Sequence, residues 1–374
     1  MTAIRFLHTA DVHLGKPFGG YPASDRLRVA RQNVIGRLIA IAREHQAPHI
    51  LVAGDLFETP NPAAQTWRQM ATEMAEATDL TWWLLPGNHD NLREAQATWD
   101  GIEQLGHANL RVLFSPDPAQ MQDGVFLLPA PLATRHPTED PTGWMDTAPT
   151  PDGAIRIGLA HGSIKGFSEG VMPADVIAPD RDQRARLDYL ALGDWHGFTQ
   201  VSPRTAYSGA PERTGFKHNG CGICLIVDID AATATPRIHQ VPVGVLDWQS
   251  VTLDLLPGDD PHAQIRAALP DTAHRDMLVK VAAQGRLTLG ESSQLAALEA
   301  SVGPEFCHFE LETSALQTEI EAQDLEAISI GGALRTASDA LAADANSATL
   351  SEHDRDIAAA ALRRLHAMAT EDMT

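Results

Sequence analysis

The sequence predicts an α/β fold in which two β-sheets are flanked by helices. Short apolar runs alternate with amphipathic or loop segments over residues 1–245, which is the pattern of a layered α/β domain. Polar clusters follow several of these runs directly, and the composition changes after about residue 246. We therefore predict an α/β sandwich over residues 1–245, a small α/β domain over 246–331 and a helical tail over 332–374.

The elements of the first region follow from apolar runs and from apolar residues at helical spacing. Strands are predicted at residues 4–7, 50–53, 82–85, 112–114, 125–128, 155–160, 189–192 and 223–229. One helix is predicted from a cap at Ser24 or Asp25 through residue 41, and a second at 67–77. Residues 131–153 are rich in Pro, Thr, Asp and Gly, and they are predicted to form a surface excursion.

The last third of the chain is more acidic than the rest. Residues 251–374 contain 21 acidic and 8 basic residues, which is more than half of the chain's charge deficit. Strands near residue 251 and at 277–281, with helices at 261–268 and 292–300, predict the small α/β domain. The tail has apolar residues at spacings of three and four, so two amphipathic helices are predicted there. Their apolar stripes either pack on their own domain or dock a partner.

Charge, cysteine content and hydropathy exclude several classes of protein. With 28 basic and 49 acidic residues, the net charge of −21 excludes nucleic-acid binding by bulk positive charge, although bound cations can reverse the local sign. Cys221, Cys224 and Cys307 cannot form a disulfide framework, and their odd count fits a reducing cytoplasm. Cys221 and Cys224 are predicted to be core thiols. The sequence has neither a signal-peptide pattern nor an apolar stretch approaching ~20 residues, so a cytoplasmic protein without a membrane span is predicted.

Five polar clusters directly follow predicted strands. They are Asp11-Val12-His13, Gly54-Asp55, Gly87-Asn88-His89-Asp90, His161-Gly162 and Gly193-Asp194-Trp195-His196. Ligands of α/β sheets gather at the carboxyl ends of the strands, so these side chains are expected to meet at one edge. Carboxylate and imidazole suit Mn²⁺, Fe²⁺ or Zn²⁺, whereas the absence of thiolate argues against a structural zinc site. The adjoining glycines would let the backbone turn sharply and approach closely.

The order of these motifs resembles that of the calcineurin-like metallophosphoesterases. The segments at residues 7–15, 54–57, 189–193 and 207–213 are similar to those of the SbcD-type exonuclease subunits of DNA double-strand-break repair. The resemblance covers about residues 1–245 and implies the two-sheet sandwich of that family. After residue 246 only the layout is similar, because a small capping domain follows the phosphoesterase domain in the family.

The resemblance implies a site for two divalent metal ions, with Mn²⁺ preferred and Fe²⁺ or Zn²⁺ as alternatives. Carried over by motif, the ligands of the first metal are Asp11, His13 and His196. The ligands of the second metal are Asn88 and His161, and Asp55 would bridge the two ions. Two cations ~3.5–4 Å apart clamp a phosphate and stabilise the leaving oxygen.

The resemblance also assigns catalytic roles and shows one departure from the family pattern. His89 would protonate the leaving group, and Asp90 would either orient that imidazole or cap the following helix. The family usually has Gly-His-x-His where this chain has Gly193-Asp194-Trp195-His196, so Asp194 stands where a second-metal histidine is expected. Asp194 either ligates the second metal as a carboxylate or has lost that contact.

Three residues near the last motifs are predicted to contact substrate: Trp195, Tyr207 and Arg213. Trp195 lies between two proposed ligands, and its ring either stacks on a substrate base or packs beside the site. Tyr207 and Arg213 belong to the segment at 207–213 that resembles the family. No spacing pattern supports a site role for the histidines outside the motifs.

These features favour a two-metal phosphodiesterase that cleaves DNA as an exonuclease or endonuclease of repair. The family resemblance implies an SMC-like, SbcC-type ATPase partner and a homodimer formed through the helices beside the second and third motifs.

Two alternatives remain open. A phosphodiesterase or phosphatase acting on a small phosphoester or cyclic nucleotide fits the acidic surface, but such an enzyme needs no extra C-terminal third. A non-catalytic DNA-end-binding regulator of an ATPase has no need of the complete ligand set that this sequence retains.

Overall fold

The computed structural model describes residues 3–166, 175–230, 235–271, 274–319 and 332–371. The chain divides into two compact units, Met1–Asp247 and Trp248–Thr374. The first unit is a mixed α/β structure with two sheets flanked by helices, so the predicted fold class is confirmed. The functions predicted for the separate domains stay predictions. None of the described helices is both long and apolar enough to cross a membrane.

The strands of the first unit are, in chain order, β1 (Ala3–Thr9), β2 (His49–Val52), β3 (Thr81–Leu84), β4 (Leu110–Val112), β5 (Ala119–Gln122), β6 (Val125–Ala130), β7 (Ile155–His161), β8 (Ser163–Ile164), β9 (Asp175–Ile177), β10 (Tyr189–Gly193), β11 (Thr199–Ser202), β12 (Thr205–Tyr207), β13 (Ile223–Asp230) and β14 (Arg237–Pro242). Its helices are α1 (Ser24–Gln32), α2 (Val34–Glu44), α3 (Ala64–Glu76), α4 (Gln96–Glu103) and α5 (Arg181–Arg184). A short 3₁₀-helix spans Gly143–Thr147, within the predicted surface excursion.

Two six-stranded sheets carry the ends of the motif strands. The first sheet has the order β14-β13-β1-β2-β3-β4, and the second has the order β11-β12-β10-β7-β6-β5. Strands β1 to β4 are parallel to one another, as are β6, β7, β10 and β12. Parallel strands end at the same sheet edge, so the loops after β1, β2 and β3 are neighbours, and so are those after β7 and β10.

Alternating side chains of the strands build separate core layers. Trp82 packs in the cluster that joins the first sheet to its helices, whereas the next residue, Trp83, packs in the cluster between the two sheets. Successive side chains of a strand point to opposite faces of the sheet, so these two neighbours lie in different clusters. Cys224 is fully buried in the helix-side cluster, where burial raises the pKa of its thiol to about 12.

The helix predicted from residue 24 through 41 is two helices in the structure. The chain leaves helical geometry at Asn33, with φ −83° and ψ 4°, and a new helix starts at Val34. Neither Ser24 nor Asp25 caps the first helix, because its N-cap position is Ala23. Both helices bury residues in the core, so apolar residues keep their helical spacing across Asn33. Hydrophobic periodicity therefore could not reveal the break.

The second unit contains a three-stranded sheet and helices. Its elements are β15 (Asp247–Leu255), α6 (Pro261–Ala268), β16 (Met277–Thr288), α7 (Leu289–Val302), β17 (His308–Glu319), α8 (Gly332–Ala345) and α9 (Glu352–Glu371). The parallel strands β16 and β17 are joined through α7, whose start is fixed by a capping box between Thr288 and Glu291. The tail is helical in its described part, in two pieces.

Candidate metal centre

Backbone hydrogen bonds hold the loops after β1 and β2 side by side. The amide of Asp11 donates to the carbonyl of Gly54 at 3.1 Å, and the amide of His13 donates to the carbonyl of Asp55 at 3.0 Å. Both donors and both acceptors belong to predicted motifs. These hydrogen bonds therefore fix the loops of the first two motifs relative to each other.

Four predicted site residues have backbone conformations that side chains rarely adopt. Among the described residues, seven that are not glycine have positive φ, and four of the seven are Asp11 (54°), His13 (49°), Asp55 (54°) and Asp194 (100°). Such conformations are costly and persist where the surrounding structure enforces them, typically at functional sites.

Two motif glycines are required by close approach to a neighbouring ligand. A Cβ on Gly54 would lie 2.2 Å from His161 Nδ1, and a Cβ on Gly87 would lie 2.3 Å from Asp55 Oδ1. Both distances are far below any van der Waals contact. These glycines therefore let the proposed ligands of different strands reach one another.

The three predicted ligands of the first metal come together. One ligand atom from each of Asp11, His13 and His196 lies within 4.8 Å of the others. His13 Nε2 is 3.9 Å and His196 Nε2 is 3.8 Å from Asp11 Oδ1. All three side chains point their ligand atoms at a common volume.

A second group is formed by Asp11, Asp55 and His161, with ligand atoms again within 4.8 Å of one another. Asp55 Oδ1 lies 3.5 Å from His161 Nε2, whereas Asp55 Oδ2 lies 3.8 Å from His13 Nε2. His161 Nδ1 donates to the carbonyl of Ala53 at 2.8 Å, which leaves Nε2 free to face the carboxylates. The two oxygens of Asp55 are thus divided between the two groups.

Asn88 and Asp194 lie beside the second group. Asp194 Oδ1 is 3.8 Å from His161 Nε2 and 3.4 Å from Asn88 Nδ2, and Ser163 donates to Asp194 Oδ2 at 3.0 Å. Asp194 is outside the compact groups of ligand atoms found among the described residues. Its ligation of a metal stays a prediction.

The donor set fits divalent metal ions. Asn88 Oδ1 and His161 Nε2 are buried and have no hydrogen-bond partner within the described structure. Buried polar atoms are normally paired, so these two positions are best explained by a cation that takes their lone pairs. Oxygen and imidazole donors of this kind suit Mn²⁺, Fe²⁺ and Zn²⁺.

Burial and neighbouring charges shift the pKa values of the proposed ligands in the metal-free site. Burial raises the pKa of Asp11 well above its usual range, and Asp55 and Asp194 add to that rise. Burial lowers the pKa of His161, but Asp55, Asp11 and Asp194 outweigh it and raise that pKa to about 9. The carboxylates of Asp55 and Asp194 thus repel that of Asp11 in the metal-free site, and a divalent cation would offset this repulsion.

His89 and Asp90 adopt different environments although they are adjacent. His89 is partly exposed; its Nδ1 donates to the carbonyl of Glu58 at 2.8 Å, and its Nε2 lies 4.0 Å from Asp55 Oδ2. The buried carboxylate of Asp90 accepts from the amides of Gly87 at 2.7 Å and Phe57 at 3.0 Å. Neither sequence alternative for Asp90 describes these contacts, which join the loops after β2 and β3.

The residues predicted to contact substrate make mainly internal contacts. Tyr207 is buried; its hydroxyl donates to the carbonyl of Gly162 at 2.9 Å and accepts from the amide of Ile164 at 3.1 Å. Arg213 is buried and donates to the carbonyl of His196. These contacts fix the loops that carry His161 and His196, and the substrate-contact roles stay predictions.

Trp195 is half-buried at the edge of the second sheet's core. The ammonium of Lys217 lies 4.1 Å from the centre of its ring, and the ring centre of His218 lies 5.2 Å away in an edge-to-face arrangement. A stacked substrate base would have to share that ring with Lys217.

Three further residues support the site and were not found from the sequence. Arg31 is fully buried and donates to the carbonyls of Val12 and Arg213, which joins the first motif to the loop behind His196. Thr214 is hydrogen-bonded to His196 Nδ1 at 2.9 Å. Glu58 stands behind two histidines. Of these three residues, only Glu58 could have been suspected from the sequence, because it directly follows the motif at residues 54–57.

Comparison with known proteins gives the following. A family model described as calcineurin-like phosphoesterase matches residues 4–207. The uncharacterized metallophosphoesterase YhaO of Bacillus subtilis (strain 168) is 26% identical over 68% of this chain and 64% of that protein. The SbcD component of the nuclease SbcCD from the same organism is 36% identical, but over 24% of this chain and 22% of its own length. The DNA double-strand break repair protein Mre11 of Methanosarcina acetivorans is 25% identical over 71% of this chain and 43% of its own length. The chain thus spans less than two thirds of the length of each of these relatives.

Proposed function

Since the chain belongs to the calcineurin-like phosphoesterase family and is therefore a metal-dependent hydrolase, we propose that it is a two-metal phosphodiesterase that acts on DNA. The observation that carries the two-metal part is the division of the Asp55 oxygens. One oxygen faces His161 and the other faces His13, as expected of a carboxylate that bridges two cations.

The proposed ligands of the first metal are Asp11, His13 and His196, and those of the second are Asn88, His161 and Asp194. When bound, the metal pair would supply Lewis-acid polarisation of the phosphate and activation of a water. The protein holds these ligands on loops whose backbones are hydrogen-bonded to one another. The buried, anionic pocket attracts divalent cations more strongly than monovalent ones at both positions.

His89 is proposed to protonate the leaving oxygen. Its Nδ1 is committed to the carbonyl of Glu58, so Nε2, which points toward Asp55, is the nitrogen that can deliver a proton. The ring is 28% exposed, which gives substrate access to it. General acids of this type contribute about 10²–10⁴-fold to a rate.

DNA is proposed as the substrate because of two partial similarities. The relatives concerned are named as part of a nuclease and as a DNA double-strand break repair protein. The name of the first also describes one component of a larger nuclease, which supports an SbcC-type ATPase partner for this chain. We also propose that the metal is Mn²⁺, that the protein forms a homodimer and that it is located in the cytoplasm.

A small phosphoester or cyclic nucleotide is the second candidate substrate. The net charge of −21 favours it, because a strongly acidic protein repels a polyanion at long range. A non-catalytic regulator is the weakest alternative, since three groups of possible ligand atoms occur together with an accessible His89.

One assay separates these three functions. The protein is incubated with Mn²⁺ and, separately, with linear duplex DNA, single-stranded DNA and bis-p-nitrophenyl phosphate, with the Asp55→Ala variant as the matched control. Mn²⁺-dependent cleavage of DNA that is lost in the variant is the expected result. Cleavage of the small ester without cleavage of either DNA would move the proposal to small phosphoesters. Metal binding without any hydrolysis would favour the regulator.

A further inference from the structure

Glu58 lies behind two histidines of the site and faces each of them with a different oxygen. Its carboxylate Oε2 is 3.0 Å from His13 Nδ1, and its backbone carbonyl accepts from His89 Nδ1 at 2.8 Å. No other described residue contacts the Nδ1 atoms of both rings. The two imidazoles are therefore supported from the same residue.

Both rings turn their other nitrogen toward one carboxylate. His13 Nε2 lies 3.8 Å and His89 Nε2 lies 4.0 Å from Asp55 Oδ2, and the rings meet edge to face with their centres 5.0 Å apart. Fixing Nδ1 on one side thus fixes where Nε2 points on the other.

The carboxylate of Glu58 lies between His13 and Lys16. Lys16 Nζ lies 2.9 Å from its other oxygen, and the amide of Glu58 donates to the carbonyl of Leu14 at 3.0 Å, which fixes the backbone of this residue. A carboxylate accepts and does not donate, so the proton of a neutral His13 belongs on Nδ1.

We propose that Glu58 is a positioning residue that keeps the proton of His13 on Nδ1 and thereby presents the Nε2 lone pair to the first metal. Carboxylates behind metal-bound histidines act in this way, and losing one typically costs 10–100-fold in metal affinity. The inference rests on the proposed function, since it takes His13 as a metal ligand.

The two acceptors of Glu58 can be separated by substitution. A change of side chain removes the carboxylate from His13 but leaves the backbone carbonyl that accepts from His89. Variants at this position should therefore weaken the first metal and leave the second metal as it was. Lys16→Met is the matched control, because it removes the neighbouring charge and keeps the carboxylate behind His13.

The experiment measures Mn²⁺ binding to the metal-free full chain by titration calorimetry, for the native protein, Glu58→Ala, Glu58→Gln and Lys16→Met. One of the two Mn²⁺ sites should weaken about 10–100-fold in Glu58→Ala. The loss should be smaller in Glu58→Gln, which keeps an acceptor oxygen, and Lys16→Met should stay within about threefold of the native protein, because the carboxylate remains in place. Ring ¹⁵N shifts of labelled histidine should show His13 leaving the Nδ1–H tautomer in Glu58→Ala.

The outcomes distinguish this inference from the proposed function. If the native protein binds fewer than two Mn²⁺ ions, the two-metal proposal fails first. If the native protein binds two and Glu58→Ala binds both equally well, with the His13 tautomer unchanged, Glu58 has no positioning role. Should Glu58→Ala melt before it can be titrated, the nearly isosteric Glu58→Gln decides by the same two measurements.

Discussion

The Nε2 atoms of His13 and His196 lie 3.2 Å apart, although 183 residues separate them in the chain. His13 follows β1 of the first sheet, and His196 follows β10 of the second. Burial and the neighbouring His13 lower the pKa of His196 to about 3, so its ring is neutral at physiological pH. In the metal-free chain one ring can donate to the other. A divalent cation would replace that shared proton and take both nitrogens.

Asp55→Ala should remove both metals and all activity. One oxygen of this carboxylate faces each group of ligands, so both groups lose a negative donor in the variant. Metal content after dialysis against Mn²⁺, measured by mass spectrometry, should fall from two ions to none. Retention of both ions with full turnover would remove the two-metal proposal.

His89→Ala should keep both metals while losing most of the turnover. His89 lies with His13 and Glu58 in a third group of possible ligand atoms, apart from the two groups that contain Asp11, and its proposed role is to protonate the leaving oxygen. A rate loss of about 10²–10⁴-fold is expected with a DNA substrate. The loss should shrink with bis-p-nitrophenyl phosphate, because nitrophenolate leaves without protonation. Loss of metal in this variant would instead make His89 a ligand.

The sequence predicted the site to the extent that the site consists of strand-end motifs. Asp11, Asp55 and His161 each follow a strand whose apolar run is visible, and parallel strands bring such residues to one edge. The supporting residues depend on contacts between distant segments. The bond from Arg213 to the carbonyl of His196 leaves no periodic trace in the sequence, because it is set by how two loops pack.

The fold class was predictable for a similar reason, although strands β5, β8, β9, β11, β12 and β14 and the break between the first two helices were missed. Apolar alternation identified both sheets, yet the break at Asn33 was missed because the buried residues on either side keep helical spacing. Strand β16, predicted over residues 277–281, extends through Thr288. Residues 284–286 within that extension are exposed, so pairing with β17 and not hydrophobic pattern determines where the strand ends.

Asp194→His should strengthen the second metal. The carboxylate of Asp194 lies 3.8 Å from His161 Nε2, at the position where the family usually has a histidine. An imidazole would relieve the repulsion that Asp194 adds to Asp11, and it would favour Zn²⁺ relative to Mn²⁺. Competition between the two metals, followed by calorimetry, tests the change. Asp194→Ala should weaken only the second metal, and unchanged affinity in that variant would show that Asp194 is not a ligand.

Duplex DNA should bind the isolated chain weakly, and added salt should weaken that binding further. The net charge of −21 opposes long-range attraction, so binding depends on a few local cations such as Lys217, which lies over Trp195 beside His196. In fluorescence anisotropy from about 50 to 200 mM salt, Lys217→Gln should reduce the log–log slope by about one. Lys280→Gln is the matched control, because Lys280 is already paired with Glu310 and Glu312. Tight binding that is insensitive to salt would contradict the expectation.

Two substitutions in α9 separate stability from partner docking. Leu362 is fully buried and packs with Leu289 of α7 and Ala342 of α8, so Leu362→Ala should cost about 2–5 kcal/mol in the free energy of unfolding of the second unit. Ile357 is 55% exposed on the same helix, so Ile357→Ala should change stability by no more than about 0.5 kcal/mol. Urea denaturation followed by circular dichroism measures both values. If the tail docks an ATPase partner, which is one of the two alternatives that its apolar stripes suggest, Ile357→Ala should weaken that binding although the fold is intact. Equal binding by Ile357→Ala and the native protein, measured with the purified ATPase, would place that partner elsewhere than on this exposed face.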